Sequence, residues 1–134
     1  MFLLDTNIVS ELVKRIPDAR VLARLNREPP ATLYLSAVSV FELRFGAARA
    51  ARPAALWARI ERDIVGRFQT LPFTVQDAMA AADMMAPPVA GGQNFSVQDI
   101  WLAGVATNRG LTLVTRNRRD FDRVTGLRVE NWFE

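Results

Sequence analysis

Phe2-Leu3-Leu4-Asp5-Thr6-Asn7-Ile8-Val9-Ser10-Glu11-Leu12-Val13 opens the chain, and the change of character at Asp5 decides the fold. Phe2 to Leu4 is an unbroken apolar run, as expected of a short strand covered on both faces. Asp5, Thr6 and Asn7 are residues that cap a following helix. Ile8, Val9, Leu12 and Val13 give that helix one apolar side, and it stops before Pro17. A strand that feeds directly into a helix is half of a crossover unit.

The same alternation continues along the chain. Asp18 caps a second helix with Val21, Leu22 and Leu25 on one face, ended by Pro29-Pro30. Thr32 to Leu35 is the second strand. Ser36 to Ala51 is a helix in which Val38, Phe41, Phe45 and Ala48 make one stripe. Pro53 opens a helix to about Phe68, with Trp57, Ile60 and Ile64 on its apolar side. Leu71-Pro72-Phe73 is a short strand, and Thr74 caps a helix over 75–85. Pro87, Pro88, Gly91 and Gly92 mark a loop. Ser96 starts a helix to Asn108, closed by Gly110, and 111–114 and 128–130 are the last strands. Strands separated by helices imply an α/β protein: a mostly parallel sheet between two helical layers. Ligands of such sheets bind beyond the carboxyl ends of the strands, where Asp5, Arg116 and Asn117 stand.

Composition narrows the chemistry. At 134 residues, half of them apolar and 23% charged, the chain is one folded domain. It has no cysteine and no histidine, which removes disulfides, thiol nucleophiles, Ser-His-Asp catalysis and His- or Cys-ligated zinc. No apolar stretch is long enough to span a bilayer and no targeting segment is recognisable, so the expected location is the cytoplasm. Lys14 is the lone lysine beside many arginines, and the net charge of +3 leans weakly towards anionic partners.

Four acids sit in or against apolar runs near the starts of elements: Asp5, Glu42, Asp99 and Asp120. Each has a structural reading. Asp5 can cap the first helix, Ser39-x-x-Glu42 and Ser96-x-x-Asp99 fit the capping box, and Asp120 lies in an arginine-rich turn. The readings are compatible with a site, because a helix start favours the charged carboxylate that a metal ligand must be. Several such starts meeting at one sheet edge would crowd anions, and a divalent cation relieves the crowding. With oxygen ligands alone, magnesium or manganese is selected over zinc. Sequestering the acids leaves a basic exterior, with Arg116, Arg118 and Arg119 beside the expected site. Arginine forks suit phosphate groups.

The segments FLLDTNIVSEL (2–12), LSAVSVFELRFGA (35–47), GGQNFSVQDIWLAGVA (91–106), LTLVTRNRRDF (111–121) and GLRVENWF (126–133) together resemble the PIN-domain ribonucleases. The resemblance is specifically to the VapC toxins of bacterial toxin–antitoxin pairs, including the FitB-like branch, and it runs through nearly the whole chain. It implies a PIN-like three-layer α/β/α sandwich formed as a single domain over 1–134, and a Mg²⁺-dependent endoribonuclease that leaves 5′-phosphate ends, with Mn²⁺ a possible substitute. Asp5, Glu42 and Asp99 stand where that family places its metal-binding acids, with Asp5 and Asp99 the ligands. Where many relatives carry a fourth acid this chain has Asn117, and Asp120 is the nearest acid that could take over. Thr6, Asn7 and Thr115 resemble supporting polar groups. Arg116, Arg118 and Arg119 are the expected RNA contacts. The resemblance further implies a VapB-like antitoxin lying over the active site, and a dimer or a hetero-oligomer with it. Candidate docking material is Leu12, Val13, Ile16 and the surroundings of Trp57.

Two rivals stand beside this reading. An aspartyl-nucleophile phosphatase of the haloacid-dehalogenase kind expects a second acid two residues after the first, where this chain has Asn7. A catalytically inactive PIN-like module that binds RNA or protein is kept open by Asn117.

Overall fold

A computed structural model describes residues 1–86, 95–122 and 124–134. The strands are β1 (Phe2–Leu4), β2 (Leu33–Ser36), β3 (Gln69–Leu71), β4 (Thr112–Val114) and β5 (Val129–Glu130), in the order β3-β2-β1-β4-β5. Every pairing is parallel. The chain walks outward from β1 through β2 to β3, then returns to the other side of β1 for β4 and β5. The direction of travel therefore reverses between β1 and β4, and the crevice beyond their carboxyl ends is where such sheets bind ligands.

The helices are α1 (Thr6–Val9), α2 (Ala19–Arg27), α3 (Ala37–Ala48), α4 (Pro53–Ile60), α5 (Val75–Met85), α6 (Val97–Arg109) and α7 (Arg118–Phe121). They form the two outer layers, and the strands show why. Leu4 and Val114 belong to a core with Ile8, Leu25, Leu43, Ile64 and Trp132, whereas Leu3 and Leu113 belong to another with Leu71, Leu102, Val105 and Phe121. Successive residues of a strand point to opposite faces, so a strand buried on both sides must be apolar throughout. The expected α/β/α sandwich is the observed one. Among the described residues no helix is long and apolar enough to cross a membrane.

Local departures from the sequence reading have local causes. The first helix does not run unbroken to Val13: α1 gives way to a 3-10 turn over Ser10–Val13. The Ser10 hydroxyl donates to the Thr6 carbonyl at 2.6 Å, a side-chain bond that bends helices. The long helix expected from Pro53 is α4 followed by a π turn, Glu61–Val65, in which the Gly66 amide reaches the Glu61 carbonyl at 2.8 Å. The third strand lies two residues earlier than expected. It pairs with β2 through Gln69 to Leu71, and Pro72, which has no N–H, follows it at the sheet edge. The stripe expected on α3 divides: Val38, Ser39, Leu43 and Ala47 are buried, while Phe41 and Phe45 are over half exposed and stack on each other at 6.0 Å. This helix is apolar on several sides, so spacing alone does not select the face that the sheet takes. The Pro87–Gly92 loop lies outside the described residues.

One close approach fixes the second layer. Gly104 in α6 lies against α5, and a Cβ there would fall 2.6 Å from Ala81 Cβ and 2.7 Å from the Asp77 carbonyl. Only glycine allows the two backbones this near.

Candidate active site

The site is built from the turn after β1. The Asp5 amide donates to the Val114 carbonyl at 2.9 Å, so β1 and β4 stay paired up to the point where the first acid leaves the sheet. Asp5 is then the N-cap of α1: its Oδ1 accepts from the Thr6 amide at 2.7 Å. Its Oδ2 accepts from the Thr115 hydroxyl at 2.7 Å. Capping and the site reading thus coexist in one side chain. Thr115 is wholly buried, and its hydroxyl is saturated. Besides donating to Asp5 it accepts from the Asn117 amide at 3.1 Å and the Asn7 side-chain nitrogen at 3.5 Å.

Glu42 comes from the second turn of α3. Ser36, not Ser39, caps that helix through the Val38 amide, so Glu42 is no capping-box acid. Its Oε1 accepts instead from the Thr6 hydroxyl at 3.1 Å, a link across 36 positions of sequence. Thr6 therefore touches both acids, one through its amide and one through its hydroxyl. Asp99 is at the start of α6, where its amide donates to the Ser96 hydroxyl at 3.1 Å as a helix start requires.

The electrostatics tie the acids together. Burial pushes the Asp5 carboxyl above its ordinary value of 3.8 and the Asp99 charge adds to this, against the opposing pull of Thr115, Thr6 and Asn7. Glu42 is raised from 4.5 by burial first, then by the charges of Asp5 and Asp99, with Thr6 opposing. Asp99 is raised by burial and by Asp120, against the Ser96 hydroxyl and amide. Asp120, exposed in α7, joins the group only through Asp99. Among the described residues, none of these four acids pairs with a basic side chain, although arginines pair with Asp18, Glu28, Asp63, Asp77 and Asp122 elsewhere.

A buried, unneutralised carboxylate among others fits a hard cation, and every candidate donor is oxygen. Among the described residues, however, no three acids stand close enough to enclose an ion by themselves. The arrangement is a crowded pair-by-pair chain of anions, open to a cation that completes its coordination with water or phosphate.

The crowding has a measurable consequence. Asp99→Asn removes an anion that folding disfavours, so in chelator the variant should melt about a degree or more above the parent. Half-burial and solvent screening keep the gain below about 1 kcal/mol. A carboxyl raised on folding holds its proton more tightly in the native state, so stability falls as pH rises through the raised value. The metal-free parent should accordingly melt higher near pH 5 than near pH 7.5, and Asp99→Asn should flatten that slope. Calorimetry reads both, and a lower melting temperature for the variant would make Asp99 a helix-capping acid only.

The three arginines expected at the site differ in placement. Arg118 faces Asp122, the C-cap of α7, at 3.5 Å, and Arg119 is exposed. Arg116 is anchored. Its amide donates to Asn7 Oδ1 at 3.1 Å, its carbonyl accepts from Asn131 at 3.4 Å, and its guanidinium lies 4.6 Å from the centre of the Phe133 ring. Sequence reasoning does not single out Asn131 and Phe133. Their signal lies in the closing GLRVENWF segment, whose side chains show no purpose until β5 is laid beside β4. Of the candidate docking residues, Leu12, Val13 and Trp57 are partly buried against the core and Ile16 is almost fully exposed.

A parallel sheet whose first strand delivers a buried carboxylate to the switch-point crevice, with further acids from α3 and α6 beside it, belongs to the class described as the PIN domain, whose family model matches residues 2–127. The VapC ribonuclease Y4jK of Sinorhizobium fredii is 36% identical over 141 residues, covering 100% of this chain and 99% of the relative. The tRNA(fMet)-specific endonuclease VapC of Shigella flexneri is 36% identical over 131 residues, covering 98% and 97%. Among solved structures, FitAcB from Neisseria gonorrhoeae superimposes with a TM-score of 0.90 at 32% identity, covering 100% of this chain and 99% of that one. The chain belongs to the PIN-domain family and, within it, to the VapC ribonucleases.

Proposed function

We propose that the chain is the endoribonuclease toxin of a toxin–antitoxin pair and that it cuts RNA with the help of a hard divalent cation. The observation that supports this most is Asp5: a buried carboxylate, fixed by two donors, crowded by further acids and paired with no basic side chain among the described residues. Asp5 and Asp99 would hold Mg²⁺ or Mn²⁺, which when bound polarises a phosphate oxygen and lowers the pKa of a water.

The chain's own groups do the rest. Thr115, Thr6 and Asn7 hold the Asp5 carboxylate in one orientation. Glu42, half-buried and raised above its ordinary value, is suited to take a proton from the attacking water. Asp120 adds charge on the far side of Asp99, and Asn117 offers an amide where an acid would stand. Arg116, Arg118 and Arg119 receive phosphates. Water oxygen bonds to phosphorus as the bond from phosphorus to the 3′ oxygen breaks in line with it, and the departing oxygen takes a proton from solvent, leaving a 3′-hydroxyl and a 5′-phosphate. The 2′-hydroxyl takes no part, so the preference for RNA rests on kinship with the ribonucleases. An antitoxin over the crevice, docking through Leu12, Val13 and Ile16 and the surroundings of Trp57, is the expected partner, with a second copy of the chain completing a dimer.

Purified protein should cut single-stranded RNA in Mg²⁺ or Mn²⁺, stop in EDTA, and resume when the ion is restored, with 5′-phosphate ends read by mass spectrometry. Undiminished cutting in chelator would overturn the role given to the cation. Asn117 favours one second reading, an inactive RNA-binding module. Saturable binding without any metal-dependent product would select it.

A further inference from the structure

We propose that Arg116 is a preset clamp for the phosphate flanking the scissile one, and that Phe133 is the positioning residue that holds it there. The inference rests on the endoribonuclease reading above and assigns one of its contacts to a specific pair of side chains.

The argument starts from order. An exposed arginine normally carries a large rotamer entropy that binding must remove. Arg116 gives up part of it in advance: Asn7 at its amide and Asn131 at its carbonyl fix where the side chain starts, and the Phe133 ring takes up the guanidinium. A guanidinium stacked on an aromatic face keeps its in-plane donors free, and those donors match phosphate oxygens. Among the described residues no carboxylate takes them, in contrast to Arg118 and its partner Asp122.

Position gives the phosphate. Thr115, which holds Asp5, is the residue immediately before Arg116, so the backbone of the arginine lies next to the acids. Phe133, buried near the end of the chain, follows β5, and β5 is separated from β1 by β4. The chain turns back after β5: Trp132 packs on Phe2 of β1 at 5.2 Å and Phe133 joins the core of Leu4 and Val9, so the ring beneath Arg116 stands on the same side as the Asp5 turn. A guanidinium held on that ring, with no ion pair to Asp5, Glu42, Asp99 or Asp120 among the described residues, is set off from the acids and reaches the next phosphate along the strand rather than the one undergoing attack. Its effect should fall on binding and not on the chemical step.

The test uses the full chain with Mg²⁺ and a labelled single-stranded RNA, comparing Arg116→Gln, Arg116→Lys, Phe133→Leu and Phe133→Tyr. Arg116→Gln should raise KM about tenfold with kcat within about twofold. It should also reduce the slope of log affinity against log salt by about 0.7, the loss of one single-strand phosphate contact. Phe133→Leu should raise KM in the same direction while the salt slope stays near the parent's, because the charge remains but is no longer held. Phe133→Tyr should restore KM, and Arg116→Lys should fall between parent and Arg116→Gln because an ammonium cannot stack. Melting temperatures within a few degrees of the parent's keep these readings independent of unfolding, and Phe133→Tyr supplies the folded control if Phe133→Leu is unstable. An unchanged KM and salt slope in Arg116→Gln would overturn the clamp. A loss of kcat with KM unchanged would move the arginine to the reacting phosphate, and a parental KM in Phe133→Leu would remove Phe133 from the proposal. If instead the parent itself yields no metal-dependent product, the failure lies in the endoribonuclease reading.

Discussion

Asp5→Asn is expected to reduce RNA cleavage at least a hundredfold while leaving the protein folded. The lower bound follows from what indirect changes do: replacing groups that merely support a metal ligand typically costs 10- to 100-fold, and Asp5 is placed as the ligand itself. The substitution keeps the shape of the side chain and removes its charge. The carboxamide oxygen can still accept from the Thr6 amide, but the new NH₂ would then face the Thr115 hydroxyl, which now donates to Asp5 Oδ2 at 2.7 Å. That hydroxyl already accepts from the Asn117 amide and the Asn7 side chain, so it has no free lone pair to offer. One lost hydrogen bond costs about 1 kcal/mol. Against it stands the removal of a buried carboxylate whose charged form folding disfavours. The two nearly offset, so the melting temperature in chelator should change by no more than a few degrees. Measuring kcat/KM and melting temperature on the same preparation separates lost chemistry from lost structure. A folded Asp5→Asn that cuts within tenfold of the parent would remove this carboxylate from the reaction.

Asp77→Ala should produce the largest loss of stability, about 3 kcal/mol, seen as a melting temperature lower by roughly 10 °C. Asp77 is fully buried at the start of α5 and touches nothing in the candidate site. Its Oδ2 accepts from the Thr74 amide at 2.9 Å and from Arg109 at 3.1 Å, and its Oδ1 accepts from Asn108 at 2.9 Å. Alanine would take the acceptor from the Thr74 amide, Asn108 and the Arg109 Nε, leave the Arg109 terminal nitrogen with the Pro72 carbonyl alone, and break the capping box with Thr74. Arg109 is a quarter exposed and can turn towards water, which places the cost at the lower end of the range for a broken buried pair. Burial by itself would raise the Asp77 carboxyl, but Arg109, the Thr74 amide and Asn108 outweigh it and hold the group below its ordinary value of 3.8. Its contribution is therefore complete above the ordinary value and fades as pH falls through the lowered one, so parent and variant should converge in strong acid. Denaturant titrations at pH 7 and at low pH test this, and a difference under 1 kcal/mol at neutral pH would contradict it.

The sheet and its active edge were legible because each strand is short and apolar and ends on a polar turn. Phe2 to Leu4 followed by Asp5, and Leu111 to Val114 followed by Thr115, mark both strands and the crevice between them. Partnerships across long stretches of sequence were not legible. Nothing local to Glu42 announces the Thr6 hydroxyl, and the Ser39-x-x-Glu42 spacing suggested a cap that Ser36 provides instead. Phe41 and Phe45 misled for a related reason. Periodicity shows that a helix has an apolar stripe, while the neighbouring strand decides which stripe is covered. Arg116, Arg118 and Arg119 could not be told apart by spacing, since only β5 brings Phe133 beneath one of them.

The bond between Thr115 and Asp5 joins positions 110 apart, and the strand that carries Thr115 is among the last to be made. During translation the first carboxylate emerges early, yet it has neither β4 beside it nor its hydroxyl donor until position 115 has been synthesised. Until β4 is in place the nascent chain therefore lacks both the neighbour and the donor that orient this carboxylate. A chain cut short before β4 would hold Asp5 without the strand and the hydroxyl on which the proposed cleavage depends.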